Sequence, residues 1–372
     1  MCKPEPALRR FDYGRLLADF RPGEVYPHPF ELTVDDALVA NYMAGFIDAS
    51  PIWSSAPFAR ALGLSRRPVP AHLLLNLGLS FSVHDISQQA IAHLAYVKVA
   101  FPKPLPQGGT VRAASRVIDA VATSAGDKGV VHVQTVLVDE HGHRVLDFER
   151  KALIKGGSLT SRPAVPGAVS DKGAACMGAL PDRAFSEAVR QFATAPRFQP
   201  ALWGAFEDFV PGATLVHANG RTVGESEHMQ LAAICRNSHP LHWDAVYSRD
   251  NSFKGVRVVY GGLVLAWTLT QASLDIGGHL LWEVDWRDGA HPAPVLAGDT
   301  LFAATRVLAV RAHGANCGEV DLRMVGIKNH RPEALLAAGA DLFTAERDKA
   351  KADRIPEKVV ELTRTILVSR RR

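Results

Sequence analysis

Cysteine is scarce in this chain of 372 residues: Cys2, Cys176, Cys235 and Cys317 are the only four, far apart and without a CxxC pair. That spacing excludes a disulfide framework and a zinc knuckle, and it predicts reduced thiols. Long apolar runs are missing as well. No stretch approaches the ~18 apolar residues of a membrane span, and residues 1–10 lack the apolar core of a secretory signal, so the expected location is cytoplasmic. Charge of one sign is not in excess either, since 42 Lys and Arg against 38 Asp and Glu leave a formal +4. The basic residues are scattered except at Ser369-Arg370-Arg371-Arg372, which argues against nucleic acid as a partner. What the chain does have is apolar content, 47%, and enough length to bury a large core as two domains or one of double size.

It also has a repeat. Asp19-Phe20-Arg21-Pro22-Gly23 returns as Asp208-Phe209-Val210-Pro211-Gly212 and Thr33-Val34 as Thr222-Val223, both 189 positions later. Asp85-Ile86 returns as Asp275-Ile276, Gly108 and Thr110 as Gly298 and Thr300, and Arg116-Val117 as Arg306-Val307, all at 190. A register kept over ~100 residues with a one-residue slip marks a duplication rather than recurring turn motifs. The copies are placed at 1–155 and 201–372, and the Gly-, Ala-, Ser- and Pro-rich stretch 156–200, with a short helix near 182–193, reads as the connection between them.

Each copy contains one helix-length segment that is apolar nearly all round, 72–86 and 262–276. Such a helix is buried on most of its sides. Strand-like runs follow at 90–101, 110–120, 130–139 and 145–155, and again at 280–286, 300–310, 319–328 and 359–369. Residues 331–357, dense in Glu, Arg and Lys, are expected as an exposed helical excursion. A buried helix wrapped by an antiparallel sheet is an α+β arrangement, and two such units joined edge to edge outline a double hotdog.

The chemistry concentrates in the second copy, in Cys235-Arg236-Asn237-Ser238-His239-Pro240-Leu241-His242 and in Tyr260-Gly261-Gly262, where the apolar helix begins. This loop and glycine pair resemble those of the MaoC-like enoyl-CoA hydratases, and the water addition to an enoyl thioester that the resemblance implies needs a base for the water, a proton for Cα, and donors for the thioester oxygen as it becomes enolate-like. His242 has the intrinsic pKa to move protons near neutrality. Asn237 can orient the water through its amide oxygen. Gly261 and Gly262 offer backbone N–H groups that the helix leaves unsatisfied, and with no Cβ a thioester carbonyl can come close. His239 is a candidate helper and Tyr260 a candidate pocket wall. A metal site built from His228, Cys235, His239 and His242 is not expected, because a Pro separates the last two and no carboxylate or Cys pair is suitably spaced. In the first copy the corresponding positions are Asp48, Pro51 and Trp53, then Ala71 and His72. Base and glycines are both gone there, so one active site per chain is expected.

Asn237-Ser238-His239-Pro240-Leu241-His242 resembles the loop of the MaoC-like, or type 2, enoyl-CoA hydratases, which reads Asp-x-Asn-Pro-x-His; Pro240 and His242 match, and Asn237 stands in place of the Asp. Glu227-His228-Met229-Gln230, Asn237 and Val259-Tyr260-Gly261-Gly262 look like the mesaconyl-CoA hydratase branch, as do Pro57-Phe58-Ala59, Leu62-Gly63-Leu64 and Asp85-Ile86-Ser87 in the first copy. The resemblance covers 15–155 and 203–330. It implies a hydro-lyase converting mesaconyl-CoA to (2R,3S)-β-methylmalyl-CoA, with no cofactor beyond the CoA of the substrate, no membrane partner, and homo-oligomerisation left open. A substrate with a second carboxylate needs a cation, for which Arg236, Arg257 and Arg221 are candidates, with Lys254 and Arg257 alternatively meeting CoA phosphates. The competing readings are an (R)-specific hydratase of other 2-enoyl-CoAs, a hotdog thioesterase, which needs a carboxylate on the helix, where Asp275 lies too close to the helix end, and a non-catalytic acyl-CoA-binding module.

Overall fold

The computed structural model describes residues 13–159, 185 and 203–371. The expected connection over 156–200, with its short helix, lies outside the described residues except for 156–159 and 185. Ten strands form one antiparallel sheet: β1 (Val25–Thr33), β2 (Ala90–Ala100), β3 (Thr110–Ala122), β4 (Lys128–Asp139), β5 (Arg144–Lys155), β6 (Thr214–Thr222), β7 (Leu280–Ala290), β8 (Thr300–His313), β9 (Cys317–Lys328) and β10 (Lys358–Ser369). Their order is β1-β3-β4-β5-β2-β7-β10-β9-β8-β6, so the copies meet where β2 pairs with β7, Lys98 opposite Arg287 and Ala100 opposite Asp285. The join gives both inner edge strands a partner, which leaves β1 and β6 as the edges among the described strands.

The two central helices run over Ala71–Phe81 and Gly261–Ile276. All residues of the first are buried, as an apolar helix inside a curved sheet requires. A stretch of π-helix, Val83–Ser87, follows it where a continuous helix to residue 86 was expected. The copies also touch each other through these helices and the segments around them. Asn76 Nδ2 donates to the Gly262 carbonyl at 3.1 Å, Trp267 Nε1 to the Gly45 carbonyl at 3.0 Å, and Trp282 Nε1 to the Phe101 carbonyl at 3.2 Å. One contiguous apolar cluster therefore holds side chains from both repeats.

Duplication is visible in hydrogen bonds that the repeated sequence alone did not reveal. His28 bonds Asp85 through Nδ1 (3.0 Å) and Ser115 through Nε2 (2.7 Å), while His217 bonds Asp275 (2.6 Å) and Thr305 (2.9 Å) through the same atoms. Those partners obey the 189 and 190 offsets. The expectation for 331–357 needs correcting: only Pro332–Ala337 is α-helical, and Leu342 and Phe343 pack under β8 and β9 against Ala304, Val325 and Ile327. Charge density concealed that small apolar core. No helix among the described residues is long and apolar enough to cross a membrane.

Candidate active site

The loop that carries the candidate residues starts at the end of the helix Glu225–Ile234. Arg236 takes a left-handed φ of 62°, which turns the chain, and Asn237 N–H returns to the Ala232 carbonyl at 3.0 Å. Asn237 is buried; its Oδ1 accepts from His239 N–H at 2.9 Å and its carbonyl accepts from Trp243 Nε1 at 2.6 Å. These bonds fix the turn that delivers Pro240–His242, a single 3₁₀ turn that Pro240 pre-sets at its first position. One of the two Oδ1 lone pairs is thereby used locally, which leaves the other for a water.

His242 is half-buried, with Nδ1 at 2.8 Å from the Val258 carbonyl. A carbonyl can only accept, so Nδ1 carries the hydrogen and Nε2 keeps its lone pair. No hydrogen bond to a described residue engages Nε2. Burial lowers the His242 pKa to about 4, with His228 pushing the same way and the Val258 carbonyl opposing. The imidazole is thus a neutral base at pH 7. We expect kcat/KM for crotonyl-CoA to stay flat from pH 8 down to pH 6, where an unshifted imidazole would be roughly three-quarters protonated. A pH–rate profile falling with a midpoint near 6.5 would contradict this placement of His242.

His239 has a different position from the helper expected of it. Nδ1 accepts from Leu241 N–H at 3.3 Å, the ring also bonds the main chain of Ala90 in β2, and burial lowers its pKa to about 3. Both nitrogens are engaged, so His239 pins the loop to the first repeat and is not free to move a proton. Its ring lies 5.6 Å from that of His242, whose other neighbour is Tyr260 at 5.4 Å.

Tyr260 stands before the second central helix, and its carbonyl accepts from Leu263 N–H (2.9 Å) and Val264 N–H (3.3 Å). Gly261 and Gly262 N–H have no acceptor among the described residues. They sit at the positive end of the helix, aligned for an anionic oxygen. The reason expected for the glycines requires correction. A Cβ on Gly262 would lie 1.8 Å from Asn76 Oδ1, and one on Gly261 would lie 3.1 Å from His291 Nε2. The empty positions are filled by side chains of the protein, so what the glycines permit is close packing around the helix terminus. Asn76 and His291 were not legible as neighbours of this site, because nothing local in either segment points to it. Tyr260 OH donates to the Asn76 carbonyl at 3.2 Å, which makes it a strut between the helices as well as a ring beside His242.

The basic candidates are mostly committed elsewhere. Arg257 pairs with Glu225 and Arg221 with Glu227, so neither presents a free guanidinium. Arg236 and Lys254 are exposed. The corresponding positions of the first repeat line a small cavity. Asp48, Trp53, His72, Glu283, Trp286 and Arg364 surround a space of about 20 Å³, room for roughly one water.

A double hotdog with a proline-led histidine loop set against a glycine-started central helix defines a MaoC-like protein. A chain described as a MaoC domain protein dehydratase from Chloroflexus aurantiacus superposes with a TM-score of 0.76 at 25% identity, over 98% of this chain and all of that one (100%). A conserved Mycobacterium tuberculosis protein with a double hotdog fold superposes with a TM-score of 0.68 at 21% identity, over 95% of this chain and 98% of that one. The family model for mesaconyl-CoA hydratase matches residues 7–335, and the chain belongs to that family. Among its relatives are a mesaconyl-CoA hydratase of Cereibacter sphaeroides, 31% identical over 88% of this chain and 93% of the relative, and a β-methylmalyl-CoA dehydratase of Chloroflexus aurantiacus, 29% identical over 85% and 89%.

Proposed function

We propose that this protein is a hydro-lyase that reversibly adds water to mesaconyl-CoA to give (2R,3S)-β-methylmalyl-CoA. The names of its relatives support that substrate. The observation that carries the reaction type is the pairing of a fixed, neutral His242, its Nε2 lone pair unclaimed, with two unclaimed N–H groups at the start of a buried helix. Water oxygen bonds to Cβ while Nε2 takes its proton. The electron pair of the double bond moves toward the thioester oxygen, where Gly261 and Gly262 N–H hold the developing negative charge. His242 then returns the proton to Cα, so one water is added and nothing is released. No cofactor enters this scheme, and a soluble CoA ester is consistent with a cytoplasmic location.

The thioesterase reading loses its carboxylate, because Asp275 bonds His217 at 2.6 Å in an arrangement that Asp85 and His28 reproduce. Asp275 is thus structural. The test is the mass of the CoA ester after incubation with mesaconyl-CoA: gain of one water on an intact thioester is expected, and release of free CoA would overturn the reading.

Asn237→Asp probes the same scheme. If Asn237 only orients water, crotonyl-CoA should be hydrated at a comparable rate by the variant. Mesaconyl-CoA should suffer, because a second anion in the buried loop repels the substrate's carboxylate by ~1 to 3 kcal/mol at an effective dielectric near 20. Equal losses on the two esters, read from kcat/KM, would show that Asn237 does more than orient.

A further inference from the structure

The two repeats differ in how they treat one buried arginine. In the second, Arg364 on β10 lies opposite Trp286 on β7 and forms a buried ion pair with Glu283, three residues earlier on that strand. In the first, Arg150 on β5 lies opposite Tyr96 on β2 in the same way. The position corresponding to Glu283, again three residues earlier and 190 positions back, is His93. Arg150 is 4% exposed, yet no carboxylate among the described residues pairs with it. Its Nη2 donates to Ser82 Oγ at 2.9 Å and to Ser87 Oγ at 3.3 Å, while Nε has no acceptor among the described residues. Among the described residues His93 has no hydrogen-bond partner for either ring nitrogen, and burial keeps it neutral. A buried guanidinium supported only by hydroxyls is unfavourable unless an anion arrives.

Where that anion would sit follows from the pseudosymmetry. Arg364 lines the small cavity together with Asp48, Trp53 and His72, whose counterparts in the second repeat are Asn237, His242 and Gly262. Arg150 is therefore the image of Arg364 in the pocket of His242. Tyr260 links them, its ring against His242 and its hydroxyl within electrostatic reach of Arg150. We propose that Arg150 is the binding residue for the free carboxylate of the substrate acyl group, and that His93 in place of a glutamate is what leaves its guanidinium open. This deepens the hydratase reading and rests on it for the identity of the acyl group. In a mesaconyl thioester the carboxylate stands on Cβ, the carbon that receives water, so a guanidinium holding it also places that carbon.

Saturated esters separate binding from catalysis. Succinyl-CoA and butyryl-CoA differ chiefly in the terminal carboxylate, and titration calorimetry should show wild type binding succinyl-CoA at least ~30-fold more tightly, a preference that Arg150→Met removes. His93→Glu, which supplies the internal partner that Arg364 already has, should remove it too while keeping the buried charge compensated. In kcat/KM, Arg150→Met should lose at least ~10²-fold on mesaconyl-CoA and at least tenfold less on crotonyl-CoA. A folded Arg150→Met protein that weakens both esters alike, or a folded His93→Glu protein that keeps its succinyl-CoA preference, would overturn the proposal. Loss of that preference in a protein whose wild type hydrates neither enoyl ester would uphold the carboxylate site and refute the hydratase reading instead.

Discussion

Mesaconyl-CoA is expected to be hydrated with a kcat/KM at least ~10²-fold above that of crotonyl-CoA, a difference of about 2.7 kcal/mol in transition-state stabilisation. The two esters differ by a carboxylate on Cβ and a methyl on Cα. A site built for the first must hold an anion, and sites that hold a polar substrate group reject analogues lacking it by up to ~10⁴-fold or more. Two features favour the anion: the neutral Asn237, where the wider family loop has Asp, and the buried guanidinium of Arg150, which pairs with no carboxylate among the described residues. Steady-state kinetics on the two esters measure the ratio. Equal efficiencies, or a preference for longer unbranched enoyl-CoAs, would leave a general (R)-specific hydratase and remove the mesaconyl-CoA assignment.

His242→Ala should fold and lose at least ~10²-fold in kcat, the usual worth of a general acid–base group. Truncation costs little structure, since the His242 side chain makes one hydrogen bond, to the Val258 carbonyl, and is only half-buried. Adding Trp53→His to that variant should restore nothing. Trp53 lies against Trp282 with ring centroids 5.9 Å apart, and His72, 3.5 Å from Asp48, stands where the second repeat has Gly262. Turnover by the double variant above that of His242→Ala would show the first pocket to be more than a remnant.

The fold was legible because duplication and periodicity act together. Each repeated Pro-Gly turn and each all-round apolar helix constrained the architecture twice, and the strands appear within a few residues of their expected bounds. The candidate loop stood out because Pro240 and His242 are only two positions apart in sequence, whereas its surroundings did not, because they come from the other repeat. Asn76 fills the space above Gly262, Ala90 anchors His239, and Arg150 is within electrostatic reach of Tyr260; each is more than 80 residues away in the chain. The cations chosen from the sequence, Arg221 and Arg257, were near the loop in sequence but are neutralised by Glu227 and Glu225. Subtracting one repeat from the other in the strands, as was done for the loop, would have brought out His93 against Glu283. Matching Arg150 with Arg364 required β5 to be aligned with β10, which the insertion at 331–357 hides.

The central claim is that the second-repeat pocket adds water to an enoyl thioester without cleaving it. The most direct measurement follows the enoyl-thioester absorbance of mesaconyl-CoA in the presence of the enzyme, with a thiol reagent reporting free CoA in a parallel sample. We expect the absorbance to fall to an equilibrium value, the thiol signal to remain at background, and His242→Ala to slow the fall at least ~10²-fold. A thiol signal rising in step with the absorbance change, or wild-type rates from His242→Ala, would contradict the account.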